Sequence, residues 1–248
     1  MAAELFLMSS SRVFGGGYLE YALADLDDFL DGARTVYFAP FALADQDRYT
    51  NDVAAALEPQ KLKVVGLHAV DARRAVESAS VLFVGGGNSF RLLKRLHELD
   101  LIETVRRRVA AGELRYIGAS AGSNMACPTL RTTNDMPIVQ PRSFEAFNLV
   151  PFQINPHYVD PEPSTTHLGE TRETRLREFL EENDVPVLGL REGSFVRRAG
   201  NQLTLGGVSD GRLFRRDADP IELHAPTDIS WLLDMPAQFD TPRPITPV

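Results

Sequence analysis

Short apolar runs alternate with longer amphipathic segments along the first half of the chain. The runs are rich in β-branched and aromatic residues and predict strands at 5–8, 35–38, 63–67, 81–84 and 115–119. The longer segments have the helical period and predict helices at 18–30, 47–57, 71–78 and 89–111, the last interrupted near Asp100. This alternation predicts an α/β fold, a doubly wound and mostly parallel sheet with helices on both faces.

The second half of the chain is less regular. After a long polar segment, its pattern predicts a strand at 150–155, a helix at 171–181, a buried strand at 187–190 and short antiparallel strands over 194–223. Thr171 is the expected N-cap of that helix. Because parallel α/β sheets place their sites at the carboxyl ends of strands, the loops that follow strands are the places to search for chemistry.

The end of the chain differs in composition from the rest. Residues 226–248 contain several prolines and the single tryptophan, Trp231. We expect one domain over 1–225 and a C-terminal extension over 226–248 that is partly docked or flexible.

A serine lies between small residues where the strand at 115–119 meets a helix. The segment 118–122 reads GASAG, and glycines two residues before and after a serine permit the sharp, strained turn known as a nucleophile elbow. Close packing of strand on helix also favours small residues, but the position between a strand and an apolar helix favours a nucleophilic Ser120. Serine alone is a weak nucleophile, so a base is expected elsewhere in the chain.

A glycine-rich loop, GGGNS at 85–89, follows the neighbouring predicted strand and precedes a helix. Its backbone N–H groups can stabilise negative charge, and a phosphate cradle is the first competing interpretation. Neither spaced glycine motif for nucleotides is present, which disfavours that interpretation. Beside an elbow the loop suits an oxyanion hole, with one N–H from Gly86 or Gly87 and the other from Ala121.

The base is sought among five histidines. His157 is favoured because it follows an Asn-Pro pair at the end of a predicted strand, and His167 is the second choice. A histidine base needs a carboxylate that holds its tautomer. The candidates on suitable loops are Asp135, Asp160, Glu170 and Glu192. Glu192 has the best position, since it follows a buried strand, whereas Asp135 lies in the long polar segment.

Composition narrows the classes of function. A net charge of -8 argues against nucleic acid as a partner. The only cysteine, Cys127, excludes an internal disulfide, and no run of about 20 apolar residues suggests a membrane span. No zinc-like spacing of His and Cys occurs, so neither a metal nor another cofactor is expected. We expect a cytoplasmic protein without nucleic-acid or membrane partners, and the sequence is compatible with a homo-oligomer.

Five segments together resemble peptidase E, the α-aspartyl dipeptidase family of serine peptidases. In chain order they are GGGN at 85–88, GASAG at 118–122, RTTNDMP at 131–137, NPH at 155–157 and GETRE at 169–173. The resemblance implies a class I glutamine amidotransferase-like fold and cleavage of dipeptides with an amino-terminal aspartate. It implies Ser120 as nucleophile, His157 as base and Glu192 as third member, and it also associates Asp135 with activity.

The same resemblance suggests how the substrate is held. Arg172 is expected to bind the aspartate side chain, because a guanidinium binds a carboxylate in a planar two-bond fork. Asp135 or Glu170 could accept from the free α-amino group, and Asn88 is a further expected substrate contact. For each carboxylate, a surface ion pair is the competing interpretation.

Three alternatives accompany this hypothesis. Amidotransferases carry cysteine at the elbow and glutamate two residues after the histidine, whereas this chain has Ser120 and Val159, which disfavours glutamine hydrolysis. A cyanophycinase-like peptidase fits the Asn88 and Arg172 segments less well. A catalytically silent protein that binds an acidic metabolite is the rival from another class.

Overall fold

The computed structural model describes residues 2–161 and 169–242. Its strands are β1 (Glu4–Met8), β2 (Thr35–Ala39), β3 (Lys63–Gly66), β4 (Val81–Val84), β5 (Arg115–Ala119), β6 (Gln153–Asn155), β7 (Val187–Leu190), β8 (Ser194–Ala199), β9 (Gln202–Gly207), β10 (Gly211–Phe214), β11 (Ile221–Leu223) and β12 (Thr227–Asp228). Its α-helices are α1 (Leu23–Leu30), α2 (Gln46–Ala56), α3 (Ala72–Ser78), α4 (Ser89–Glu98), α5 (Leu101–Ala110), α6 (Ala121–Ala126) and α7 (Arg172–Glu182). Short 3-10 turns occur at Glu20–Ala22, Glu58–Gln60, Leu67–Ala69 and Ser230–Asp234.

The main sheet has eight strands in the order β12-β9-β8-β1-β5-β4-β2-β3. The five strands from β1 to β3 in that order pair in parallel, whereas β8, β9 and β12 are antiparallel to their neighbours. The predicted mostly parallel α/β sheet is therefore confirmed. Because β4 and β5 pair directly, the two glycine-containing loops that follow them lie side by side at one edge of the sheet.

Helices cover both faces of this sheet. Leu5 and Leu7 of β1 pack in one core cluster with side chains of α3, α4, α5 and α6. Phe6 and Met8 point to the opposite face and pack with side chains of α1 and α2. Alternation along a strand sends successive side chains to opposite faces, so a strand that is apolar throughout is covered twice.

The predicted interruption in the segment 89–111 is confirmed. Asp100 has a left-handed φ of 52° between the end of α4 and the start of α5. The predicted N-cap is also confirmed, since the Thr171 hydroxyl accepts from the Thr174 amide at 3.1 Å.

A second sheet, which the sequence pattern does not distinguish from the first, has the order β11-β10-β7-β6. β6 and β7 pair in parallel, and β10 and β11 extend the sheet in antiparallel fashion. Helix α7 packs on this sheet through Leu176 and Leu180. The carboxyl ends of β6 and β7 thus present neighbouring loops, at His157 and Glu192.

The described part of the segment after residue 225 lies against the domain. β12 pairs with β9 at the edge of the main sheet, and Ile229 and Leu232 are fully buried. Farther along, Gln238 bridges to Asp184, and Asp240 accepts from the Arg131 guanidinium at 2.7 Å. Residues 243–248 lie outside the described residues.

None of the helices within 2–161 and 169–242 is long and apolar enough to cross a membrane.

Candidate active site

Ser120 occupies a strained turn between β5 and α6. Its φ of 53° and ψ of -111° belong to a region that non-glycine residues seldom adopt. The Ser120 amide donates to the Met8 carbonyl at 3.0 Å, which fixes the turn against the end of β1. The hydroxyl is left at the carboxyl edge of the main sheet, where the sequence places a nucleophile.

The two flanking glycines have a steric reason. A Cβ at Gly118 would lie 2.6 Å from the Gly122 carbonyl oxygen, and a Cβ at Gly122 would lie 2.0 Å from the Val84 carbonyl oxygen. Neither contact is tolerated by backbone atoms. The elbow therefore requires glycine at both positions so that α6 can approach β4 and β5.

Ser120, His157 and Glu192 form a continuous chain of hydrogen bonds. His157 Nε2 lies 2.8 Å from the Ser120 hydroxyl, and His157 Nδ1 lies 2.7 Å from a Glu192 carboxylate oxygen. These distances are those of a nucleophile, a base and an orienting acid. His157 itself has a left-handed φ of 52°, and the side chains of His157 and Glu192 are 38% and 54% exposed, so substrate and water can reach the pair.

Asp135 lies elsewhere in the site. Its Oδ2 accepts from the Ser89 amide at 2.7 Å and from the Ser89 hydroxyl at 2.6 Å, at the first turn of α4. The structure therefore brings Glu192 to His157, and it holds Asp135 at a helix N-terminus, where negative charge is favoured. Asp160, another candidate acid, instead binds Arg191, whose guanidinium lowers the pKa of the Asp160 carboxyl.

The glycine-rich loop after β4 lies next to Ser120. A Cβ at Gly86 would lie 3.1 Å from the Ser120 Cβ. The Gly86 amide donates to the Tyr49 hydroxyl at 2.8 Å. Within the described residues, the N–H groups of Gly87 and Ala121 have no hydrogen-bond acceptor. Of the sequence candidates, Gly87 and Ala121 thus retain free donors, whereas Gly86 does not.

The predicted substrate contacts have different surroundings. Asn88 caps α4, with Oδ1 accepting from the Arg91 amide at 3.0 Å and Nδ2 donating to the Met136 carbonyl at 2.9 Å. Glu170 lies 3.5 Å from the Arg175 guanidinium. Since an amide nitrogen carries two protons, Asn88 keeps one donor beyond its contact with Met136.

Arg172 begins α7 and is half-buried. Burial lowers the pKa of Arg172, repulsion from Arg175 lowers it further, and the nearby charge of Asp135 raises it. In the part of the chain that the structure describes, Arg172 forms no ion pair within 4.0 Å. A half-buried guanidinium of this kind can bind an incoming carboxylate.

The remaining histidines and the cysteine have other partners. The rings of His68, His97 and His224 contact Asp47, the Glu145 carbonyl and Asp210, respectively. His167, the second choice for the base, lies outside the described residues. Cys127 is fully buried, and burial raises the pKa of its thiol to about 12. A thiol with that pKa is protonated at neutral pH and is no nucleophile.

Among the described residues, no group of three His, Cys, Asp or Glu side chains could hold a metal ion.

Two contributors to the site were missed by sequence reasoning. The Tyr49 hydroxyl holds the Gly86 amide, and the Ser9 hydroxyl accepts from the His157 amide at 2.9 Å. Tyr49 lies within a helix, and no motif around it in the sequence indicates a contact with the glycine-rich loop. Ser9 immediately follows a buried strand, and a polar residue at that end of a strand is a signal that could have been used.

The chain matches the sequence model of peptidase family S51 over residues 5–206. It is 56% identical over 239 residues to peptidase E of Streptomyces coelicolor, and the aligned region covers 96% of this chain and 98% of the relative. It is 48% identical over 235 residues to the probable alpha-aspartyl dipeptidase of Drosophila melanogaster, and the aligned region covers 94% of this chain and 98% of the relative.

A solved structure shares the fold. The crystal structure of a putative peptidase E protein from Listeria monocytogenes superimposes with a TM-score of 0.63 at 24% identity, over 84% of this chain and all of the other.

Proposed function

The chain belongs to peptidase family S51, and from this premise we propose that it is a serine dipeptidase that hydrolyses the peptide bond after an amino-terminal aspartate. The observation that carries the proposal is the unbroken contact from Ser120 through His157 to Glu192. The resemblance of the five sequence segments to α-aspartyl dipeptidases indicates the substrate class, and the name of the Drosophila relative agrees with it.

The reaction begins with the proton of Ser120. His157 Nε2 accepts this proton while the serine oxygen attacks the carbonyl carbon of the aspartyl residue. His157 then donates the proton to the leaving amine as the peptide bond breaks, which leaves an aspartyl ester on Ser120. The same imidazole then takes a proton from water as the water oxygen attacks the ester, and it donates this proton to the Ser120 oxygen as aspartate is released.

Glu192 acts through His157. Its carboxylate accepts from Nδ1–H, so that Nε2 is the free acceptor facing Ser120. The negative charge of Glu192 also stabilises the imidazolium that forms once the proton has moved.

The charge that develops on the carbonyl oxygen is bound by backbone donors. We assign this role to the N–H groups of Gly87 and Ala121, because the Gly86 amide already donates to Tyr49. Loss of one such donor costs about 3 kcal/mol of transition-state stabilisation in comparable sites. The role of Gly86 is steric instead, because the absence of a side chain lets the loop lie close to Ser120.

Arg172 is the proposed partner of the aspartate side chain. It is a half-buried cation without an ion pair in the described residues, and its segment is one of those that resemble the family. Asp135 is the proposed acceptor for the substrate's α-amino group, because Glu170 is already close to Arg175. Asn88 donates its remaining amide proton to the substrate.

To test the specificity, purified protein is incubated separately with Asp-Leu, Glu-Leu, Ala-Leu and N-acetyl-Asp-Leu, and the rate of leucine release is measured. Asp-Leu is expected to be cleaved far faster than the other three. Arg172→Ala should lower kcat/KM for Asp-Leu by roughly 100-fold, since a buried charge-assisted pair is worth about 3 kcal/mol.

The matched control is Arg177→Ala, an exposed position on the same helix that pairs with Glu173 and should leave all four rates unchanged. If Arg172→Ala lowers kcat/KM equally for every substrate, Arg172 has a structural role. Absence of cleavage with binding of an acidic ligand would favour the silent binding protein.

A further inference from the structure

Ser9 connects the two parts of the site. It directly follows β1 in the main sheet and is fully buried. Its hydroxyl donates to the Leu190 carbonyl at 2.8 Å and accepts from the His157 amide at 2.9 Å. Leu190 ends β7, two residues before Glu192. One hydroxyl therefore joins the end of β1 to the backbone of the base and to the strand that leads to the acid.

The end of β1 contacts the nucleophile as well. The Met8 carbonyl accepts from the Ser120 amide at 3.0 Å and from the Ser123 hydroxyl at 2.6 Å. Met8 thus fixes the backbone of the nucleophile, and the next residue, Ser9, fixes the backbone of the base. Two consecutive residues, Met8 and Ser9, therefore contact the backbones of both Ser120 and His157.

His157 has particular need of such a contact. Its φ of 52° lies in the left-handed region, which is unfavourable for a side chain with a Cβ and persists only where surrounding contacts enforce it. Its amide bonds to the Ser9 hydroxyl, and the following amide, that of Tyr158, donates to the same Leu190 carbonyl at 2.9 Å. Without the Ser9 hydroxyl, the His157 N–H loses this acceptor.

We propose that Ser9 is a positioning residue of the catalytic triad, whose hydroxyl holds the His157 backbone so that the imidazole reaches Ser120 and Glu192 together. The inference rests on the proposed function, because it assumes that His157 is the base. Ser9 acts through His157 and does not touch the substrate. Its removal should therefore slow the chemical step and leave substrate binding largely intact.

The test compares wild type and Ser9→Ala in kcat and KM for Asp-Leu. For each protein, kcat is calculated per folded molecule, with the folded fraction taken from an unfolding curve. Displacement of a reacting group by a fraction of an ångström lowers rates strongly, so kcat of Ser9→Ala should fall roughly 10- to 100-fold. KM should change little, because Arg172 on α7 is expected to supply the binding contact. Ser9→Thr retains the hydroxyl and should recover most of the lost kcat.

The matched control is Ser230→Ala. The Ser230 hydroxyl also accepts from a backbone amide at 2.9 Å, that of Leu203, but at the far edge of the main sheet. Removal of the Ser230 hydroxyl should lower the free energy of unfolding about as much as removal of the Ser9 hydroxyl does, and it should leave kcat at the wild-type value. A loss of stability in Ser9→Ala with unchanged kcat per folded molecule would overturn the proposal. If Ser9→Ala does not fold, Ser9→Cys replaces it, and wild-type kcat there would overturn the proposal equally.

A second measurement separates this inference from the function. Labelling of Ser120 by a serine-directed phosphonylating reagent requires the base but no aspartyl substrate. Slow labelling of Ser9→Ala beside fast labelling of wild type supports the positioning role even if wild type does not cleave Asp-Leu, which would overturn the proposed function alone. Equal labelling rates contradict the role of Ser9.

Discussion

At the scale of single residues, the site depends on two backbone conformations that ordinary side chains avoid. Ser120 and His157 have φ angles of 53° and 52°. Each is held by a hydrogen bond from its own amide to the end of β1, at Met8 and Ser9 respectively. In these conformations, His157 Nε2 and the Ser120 hydroxyl, which come from distant parts of the chain, lie 2.8 Å apart.

The two candidate carboxylates are expected to differ in kinetic effect. Glu192→Gln replaces the acceptor at Nδ1 and favours the wrong tautomer of His157, so kcat should fall roughly 100- to 10000-fold with a small change in KM. Asp135→Asn should mainly raise KM, because Asp135 is proposed to bind the substrate amine. Steady-state kinetics with Asp-Leu distinguish the two. A large fall in kcat for Asp135→Asn beside near-normal Glu192→Gln would reverse the assignment.

Residues with a local signature were predictable from the sequence, and residues that act across the fold were not. Ser120 is marked by its flanking glycines, which the backbone of α6 and β4 requires. Ser9 and Tyr49 contact partners 148 and 37 positions away, so no local pattern indicates what they bind. The sequence left Glu192 and Asp135 as alternatives because the choice depends on where two loops lie in space.

At the scale of elements, the loop after β4 depends on helix α2. Tyr49 of α2 holds the Gly86 amide, and burial raises the pKa of Tyr49, so its hydroxyl remains protonated at neutral pH. A Cβ at Gly85 would lie 2.7 Å from the same hydroxyl, which shows how closely the ring fits the loop. We expect this contact to fix the direction of the Gly87 N–H.

Removal of the Tyr49 hydroxyl should therefore impair catalysis. Tyr49→Phe is expected to lower kcat about 10-fold, because the loop that carries an oxyanion donor loses its anchor and that donor is less well aligned. Tyr18→Phe separates the two contacts of this hydroxyl, since Tyr18 donates to the Tyr49 hydroxyl at 3.4 Å and forms no hydrogen bond with the loop. Rates of leucine release from Asp-Leu provide the measurement. Equal rates for Tyr49→Phe and wild type would contradict a role for this contact.

At the scale of the whole molecule, the three residues of the proposed triad come from two sheets. Ser120 follows β5 of the main sheet, whereas His157 and Glu192 follow β6 and β7 of the smaller one. The fold is of the class I glutamine amidotransferase-like type, and the alternating pattern of the first half predicted its main sheet. The second sheet was not predicted, because strand partners are set by long-range pairing and buried strands of either sheet have the same apolar pattern.

The C-terminal segment also illustrates this limit. The sequence predicted an extension that is partly docked or flexible, and within the described residues Leu232 is fully buried and Asp240 binds Arg131, which begins the segment that carries Asp135. A few apolar residues among prolines have no regular period, so the pattern does not indicate which of them dock. We propose that the described part of this segment belongs to the same folding unit as the domain.

The central claim is that Ser120, activated by His157, cleaves peptides with an amino-terminal aspartate. It is tested most directly by release of leucine from Asp-Leu by wild type and by Ser120→Ala, prepared in the same way and shown to be folded. We predict rapid release by wild type and a rate lower by about 10000-fold or more for Ser120→Ala, since loss of the nucleophile removes the covalent route. Equal release by the two proteins, or none by wild type, would contradict the account.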